Sequence, residues 1–268
     1  MKNRSSLTEG QRLIKYVALT VAVLVIAGIA SGIAEIIEAI FKTDSIGDMR
    51  RYEASSDISK LDMEIGGAAF SIEYSDKLAV ESNIDGLKVS ESRGKLTVKE
   101  RSAIRKNASG AKITLFLPKD FIFESAEIET GAADLKITSF SAKDLSLSLG
   151  AGRVEIEELN VTGSAKIDGG AGSFCIKGGS IVSLDFDMGV GDVEIRAEML
   201  GGCELDFGMG KASLTLLGGA ENYRLDIEKG IGRMTVDGRE YGHSTVIGNG
   251  KSAVDVECGI GEVSVKFE

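Results

Sequence analysis

Few residues of this chain could carry chemistry. There is one histidine, His243, so His-dependent acid–base work and most zinc sites lack their groups. Cys175, Cys203 and Cys258 lie 28 and 55 residues apart, with no CxxC among them. That excludes a metal clip and allows at most one intramolecular disulfide, its pairing open. Packing or inert thiols is the simpler role. Gly-x-Gly recurs and invites a nucleotide reading, but no copy extends to GxGxxG. Strand-patterned residues also follow the glycines where a phosphate site needs a helix N-terminus. Gly169-Gly170-Ala171-Gly172 approaches the calcium-binding β-roll pattern GGxGxDxUx, yet Phe174 stands at the aspartate position and no other copy restores it. Asp134, Arg153, Ser173, Asp192, Lys211, Arg233 and Glu262 recur in step with the glycines. Clustered acids can serve glycan cleavage, but mixed signs at one repeated position read as a solvated, self-compensating face. The sequence therefore nominates no catalytic, cofactor-binding or metal-binding residue, and the expectation is a non-enzyme without a cofactor.

The glycines point to the elements that carry them. A Gly-x-Gly or close relative begins at Gly131, Gly150, Gly170, Gly189, Gly208, Gly230 and Gly259, at intervals of 19, 20, 19, 19, 22 and 29. Four residues after each first glycine stand Leu135, Val154, Phe174, Val193, Ala212, Met234 and Val263. Six after stand Ile137, Ile156, Ile176, Ile195, Leu214, Val236 and Val265, and three before stand Ile128, Leu147, Ile167, Phe186, Leu205, Ile227 and Val256. All are apolar, and six of the seven residues between the first two sets are polar. An eighth, more distant copy fits at Gly66, with Met63, Phe70 and Ile72.

Alternation with period 2 means strands with one face buried. Each unit reads as strand, glycine corner, strand. No unit can bury its own apolar face, but stacking does so, in a β-solenoid of about 19–20 residues per coil spanning residues 61–268. Val193 is expected between Phe174 and Ala212. A sandwich or barrel also accommodates short strands and glycine turns, but needs no recurrence every ~19 residues.

The N-terminal region carries a different signal. Residues 16–34, YVALTVAVLVIAGIASGIA, are free of charge. As a helix they span roughly 28 Å, a bilayer's hydrocarbon thickness, and we read the transmembrane helix as residues 16–41. Lys2, Arg4, Arg12 and Lys15 precede it against Glu9 alone, and acids follow, which places residues 1–15 in the cytoplasm and the remainder outside. A cleaved signal peptide competes, but its apolar core is usually shorter and no clean cleavage site follows. Gly28 and Gly32 form a GxxxG that would let two such helices meet in a homodimer, although small residues are ordinary filler in membrane helices.

Between anchor and repeats, residues 42–60 are polar and aperiodic and read as a stalk or linker. Leu87/Val89 and Leu96/Val98 flank Ser92-Arg93-Gly94 like a hairpin or two coil strands, residues 101–111 form a basic loop, and Pro118 ends the KITLFL run. Residues 237–252, with Arg239, Tyr241 and His243, are extra chain between the last two units, expected as a protruding loop or a terminal cap. Net charge is −10 overall and −13 beyond residue 15, so an acidic ectodomain is expected to repel nucleic acid and anionic lipid headgroups alike. With 34 glycines, one proline and 43% hydrophobic residues, neither collagen nor global disorder fits.

The KITLFLP stretch, the I-x-x-G-x-x-x-L-x-I of Ile128 to Ile137, the repeated G-x-G-x-ϕ-x-ϕ and the anchor together resemble the bacterial "putative adhesin" family of β-strand-repeat envelope proteins, a domain of unknown function. The resemblance covers roughly residues 61–268. It implies an extracytoplasmic, often membrane-anchored β-solenoid, sometimes linked to envelope stress, and brings no catalytic residue. The expected function is a single-pass cell-membrane protein that contacts a protein or cell-wall partner through its outer domain, in adhesion, scaffolding or stress sensing. One alternative is a self-assembling filament built through open solenoid ends, against which the charges of Lys266 and Glu268 count. The other is a glycan-active enzyme with carboxylates on adjacent coils.

Overall fold

The computed structural model describes residues 46–100 and 110–268. The segment read as cytoplasmic (1–15), the segment read as a transmembrane helix (16–41) with its Gly28/Gly32 pair, and residues 101–109 of the loop read as 101–111 lie outside the described residues. Among the described residues no helix is long and apolar enough to cross a membrane.

Valine, isoleucine and phenylalanine at alternating positions, punctuated by glycine, give an all-β chain. Its strands are β1 (Ile46–Glu53), β2 (Lys60–Ile65), β3 (Ala69–Tyr74), β4 (Ala79–Ile84), β5 (Leu87–Ser92), β6 (Lys95–Glu100), β7 (Lys112–Leu117), β8 (Phe123–Ile137), β9 (Phe140–Ile156), β10 (Leu159–Ile176), β11 (Gly179–Val182), β12 (Leu184–Leu200), β13 (Gly202–Leu216), β14 (Tyr223–Val236), β15 (Arg239–Glu240), β16 (Ser244–Ile247) and β17 (Ser252–Phe267). The long strands run through their glycine corners and stack in parallel register, one coil on the next. Val193 pairs with Phe174 on one side and Ala212 on the other, as expected, and Val154 lies below Phe174. The interior rows are dry: Phe174, Val193 and Ala212 are 2, 3 and 2% exposed.

Each coil has a third apolar segment beyond the two read from the sequence. Ala142, Val161, Ile181 and Met199 stack in register and are buried. Nine and eleven residues past the first glycine, Phe140/Ala142 and Leu159/Val161 carry this signal, but Gly179 interrupts it in the next coil.

The corners require glycine for two reasons. A Cβ on Gly150 would stand 2.0 Å from the carbonyl oxygen of Gly131 one coil away. Gly210 has φ of +139°, and its Cβ would lie 1.7 Å from the Gly191 oxygen.

The order of coils departs from the chain order. Counting along the sequence places the Gly230 unit on Gly208 and the Gly259 unit last. Instead, β17 lies between β13 and β14, parallel to both. The chain leaves β13, skips one level through residues 217–222, builds the outermost coil as β14 and returns to fill the gap. Gly218 and Gly219 in that crossing donate their N–H groups to the Glu268 carbonyl at 2.8 and 3.0 Å. In this order Glu262 separates Lys211 from Arg233, which chain order would have stacked directly. Lys266 and Glu268 therefore belong to an interior coil, where Arg196 meets Glu268 at 2.7 Å, and do not guard an open end.

The other end mirrors this. β2 and β3 stack between β8 on one side and β6 and β7 on the other. β5 and β4 then cover β6 and β7 in antiparallel fashion, and β1 covers β4. β1 falls within the segment read as a stalk. It lacks alternation because only one edge is paired and its side chains are almost all exposed. The expected β5–β6 hairpin forms, and Pro118 follows β7 directly. Residues 237–252 act as the cap: β15 and β16 pair antiparallel along the outer edge of β14.

Candidate functional site

Two residues before each first glycine, the side chain points outward. Register brings these positions into one row: Glu64, Glu129, Ser148, Asp168, Asp187, Asp206, Glu257 and Glu228. Seven of the eight are acids, one per coil, about 4.8 Å apart. Beside them the glycines present bare backbone. The result is a groove along the stack, made of two adjoining depressions of about 890 and 570 Å³ that share Asp187. Met188, Phe207 and Cys258, each about 6–7% exposed, reach the floor of the smaller one.

The far wall is the corner residue between the glycines. In spatial order it runs Ala132, Ala151, Ala171, Val190, Met209, Ile260, Ile231. The ridge grows from methyl to branched side chain toward the β14 end, where Ile231 is 68% exposed.

The acidic row is only partly compensated. Lys99 meets Glu64 at 3.1 Å and Lys166 meets Asp168 at 3.0 Å. Among the described residues no cation lies within ion-pair distance of Glu129, Asp187, Asp206, Glu257 or Glu228, and Lys229 turns away to donate to the Gly232 carbonyl at 2.7 Å. Burial pushes the Asp206 carboxyl up, and the charges of Asp187 and Asp185 add to this. No three potential ligands among the described residues come together to hold a metal. The arrangement suits an extended cationic or amine-bearing ligand: carboxylates on one wall, backbone and apolar atoms below.

Because the folded-state pKa of Asp206 is raised, its protonated form adds stability below the ordinary carboxylate value of 3.8. That contribution is lost as pH rises through the shifted pKa. Asp206→Asn is therefore expected to raise the melting temperature at pH 7 by about 1–3 °C. The gain should vanish near pH 3, and a gain that persists there would contradict a charge origin.

The row singled out from the sequence is a separate, outward one. It reads Asp134, Arg153, Ser173, Asp192, Lys211, Glu262, Arg233 in space, with signs that never repeat between neighbours. It is a compensated face and borders the ridge. His243 Nδ1 lies 2.7 Å from the Lys229 carbonyl, and the Arg239 guanidinium sits 5.6 Å from the Tyr241 ring centre, so both serve the cap. The three cysteines are free, and burial pushes each thiol up, away from nucleophilic character. The acidic row escaped the sequence reading, although a column two residues before each glycine would have displayed it.

A family model described as Toastrack DUF4097 matches residues 52–266. No curated protein matches. Among solved structures, a "putative cell adhesion protein" from Clostridium sporogenes ATCC 15579 is 14% identical over 82% of this chain and 99% of that one, at a TM-score of 0.36. A "putative adhesin" from Bacteroides fragilis NCTC 9343 is 15% identical over 81% and 96%, at 0.38. A "putative lipid binding protein" from Parabacteroides distasonis ATCC 8503 is 15% identical over 85% and 99%, at 0.31.

Proposed function

The chain belongs to the Toastrack DUF4097 family, and from that premise we propose that it is a single-pass envelope protein that displays its β-solenoid outside the cell and binds a protein or cell-wall partner there without catalysis. The observation that carries this reading is the only partly compensated acidic row along the glycine groove. Like charges facing each other across every coil cost stability, and a cationic partner would offset that cost. The charge-free run of residues 16–34 with its basic N-terminal flank supports the anchor and its orientation. Both ends of the parallel stack are covered by antiparallel strands, so a filament could not extend by adding a parallel coil to a bare coil end.

The test uses the full chain in intact cells. A cysteine introduced by Ser148→Cys, in a background with Cys175→Ser, should react with a membrane-impermeant maleimide. A photo-crosslinker at position 187 should yield adducts that Asp206→Lys and Glu257→Lys together abolish. Labelling only after permeabilisation would refute the orientation, and adducts indifferent to the charge reversals would refute the groove.

One observation favours a second reading. Asp187 and Asp206 occupy adjacent coils in the groove, and Asp206 is held above its usual range, which is what a glycan-active pair would require. Against it, the groove's aromatic ring, Phe207, is buried in the floor and offers no platform for a sugar. Cleavage of cell-wall glycan by the purified chain, lost in Asp206→Asn, would establish that alternative.

A further inference from the structure

The end of the stack nearest the N-terminal run differs from the coils beyond it in charge and carries exposed apolar side chains on its edge strand. β1 is an edge strand, paired only with β4 among the described residues. It exposes Ile46, Met49 and Tyr52, at 43, 50 and 37%.

Charge sets this end apart. The segments that build it, residues 46–60, 76–100 and 110–121, carry ten basic and nine acidic residues. The coils beyond, residues 61–75 and 122–268, carry thirteen basic and twenty-eight acidic residues. On β1 itself, Arg50 remains 73% exposed while touching Asp85 at 3.3 Å, and Arg51 leans on the Phe116 ring, 4.6 Å from its centre. An anionic surface would repel the body of the stack and leave this near-neutral end as the face able to approach it.

Chain connectivity supplies the third argument. Five residue steps separate Phe41, the end of the apolar run, from Ile46, a reach of at most about 18 Å. On the anchor reading above, on which this inference rests, β1 cannot leave the neighbourhood of the headgroups.

We propose that the β1 edge docks onto the outer headgroup layer of the membrane in which the chain is anchored. Ile46, Met49 and Tyr52 enter the interface and the acidic coils point away. Tyrosine and aliphatic side chains suit this depth, with apolar bodies sunk and polar tips wet. Docking fixes the direction in which the acidic groove rises from the surface.

The chain has no tryptophan, so one introduced indole reports on one site. Met49→Trp and, at the far end, Ile231→Trp are made separately in the full chain and reconstituted into vesicles of equal phosphatidylglycerol and phosphatidylcholine. Flotation with the vesicles reads the anchor. Emission at position 49 should shift to the blue and lose intensity to lipids brominated near the headgroup, while position 231 stays red-shifted and open to acrylamide. Replacing phosphatidylglycerol by phosphatidylcholine should weaken quenching at position 49. Chains that float but show equal behaviour at both positions would overturn the docking and leave the anchor standing. Chains that fail to float would overturn both.

Discussion

Val193→Asp is expected to unfold the coil stack at 25 °C, while Glu194→Lys, one residue along, leaves its melting temperature within a degree or two of the parent. Val193 is 3% exposed and lies between Phe174 and Ala212, with apolar atoms from three coils around it. The substitution forfeits the burial of the valine, about 1.5–3 kcal/mol, and places a carboxylate where no donor reaches it. Together these approach the whole stability of an ordinary domain, about 5–15 kcal/mol. In a stacked array each coil also holds its neighbours, so the damage spreads along the axis. Glu194 points outward between Cys175 and Ser213, where a lysine finds water. Thermal melts followed by circular dichroism decide the matter. Equal midpoints for the two variants would contradict the assigned faces.

Ending the chain at Lys251 is expected to be as damaging. β17 brings Val254, Val256, Cys258, Val263 and Val265 into the core, at 0, 1, 6, 0 and 0% exposure, and pairs with β13 and β14 on its two edges. Its loss removes roughly 8–15 kcal/mol of side-chain burial. It also leaves an empty level between two coils, which cannot close because the crossing at residues 217–222 is built to span it. If the coils followed chain order, the same truncation would trim an end and leave a shorter stack with a modestly lower melting point. Expression of residues 42–251 as insoluble or protease-sensitive protein is the predicted result, and a folded monomer with a sharp transition would contradict the order of coils.

What the sequence made legible follows from register. Rows three before, four after and six after each glycine hold because side chains alternate strictly and every coil copies the last, so Leu147, Val154 and Ile156 announce their burial by spacing alone. The third face was half-written: Leu159 and Val161 keep the spacing, but Gly179 and the longer turns near Leu217 break it. β1 was illegible because IGDMRRYE is an edge strand whose partner buries little of it. The exchange of the last two coils left no trace in the apolar rows, since Met234 and Val263 would pack equally well in either order. In the charges the exchange only places Glu262 between Lys211 and Arg233, a weak signal beside the acids that other rows stack directly. The groove was hidden for another reason. An acid at each outward position reads as solvated surface until stacking shows that Glu64, Glu129, Asp168, Asp187, Asp206, Glu257 and Glu228 form one line.

The exchange of the last two coils is the claim on which the order of the stack rests, and cysteine pairing tests that order directly. In a chain with Cys175, Cys203 and Cys258 replaced by alanine, Ser213→Cys is combined with either Ser264→Cys or Thr235→Cys. Ser213 pairs with Ser264, and Thr235 lies one coil beyond. Adjacent positions sit about 4.8 Å apart, within disulfide range, and positions two coils apart, at about 9.6 Å, do not. Mild oxidation should crosslink positions 213 and 264 and leave 213 and 235 free. Crosslinking of 213 to 235 in place of 264 would put the coils in chain order and contradict the fold described.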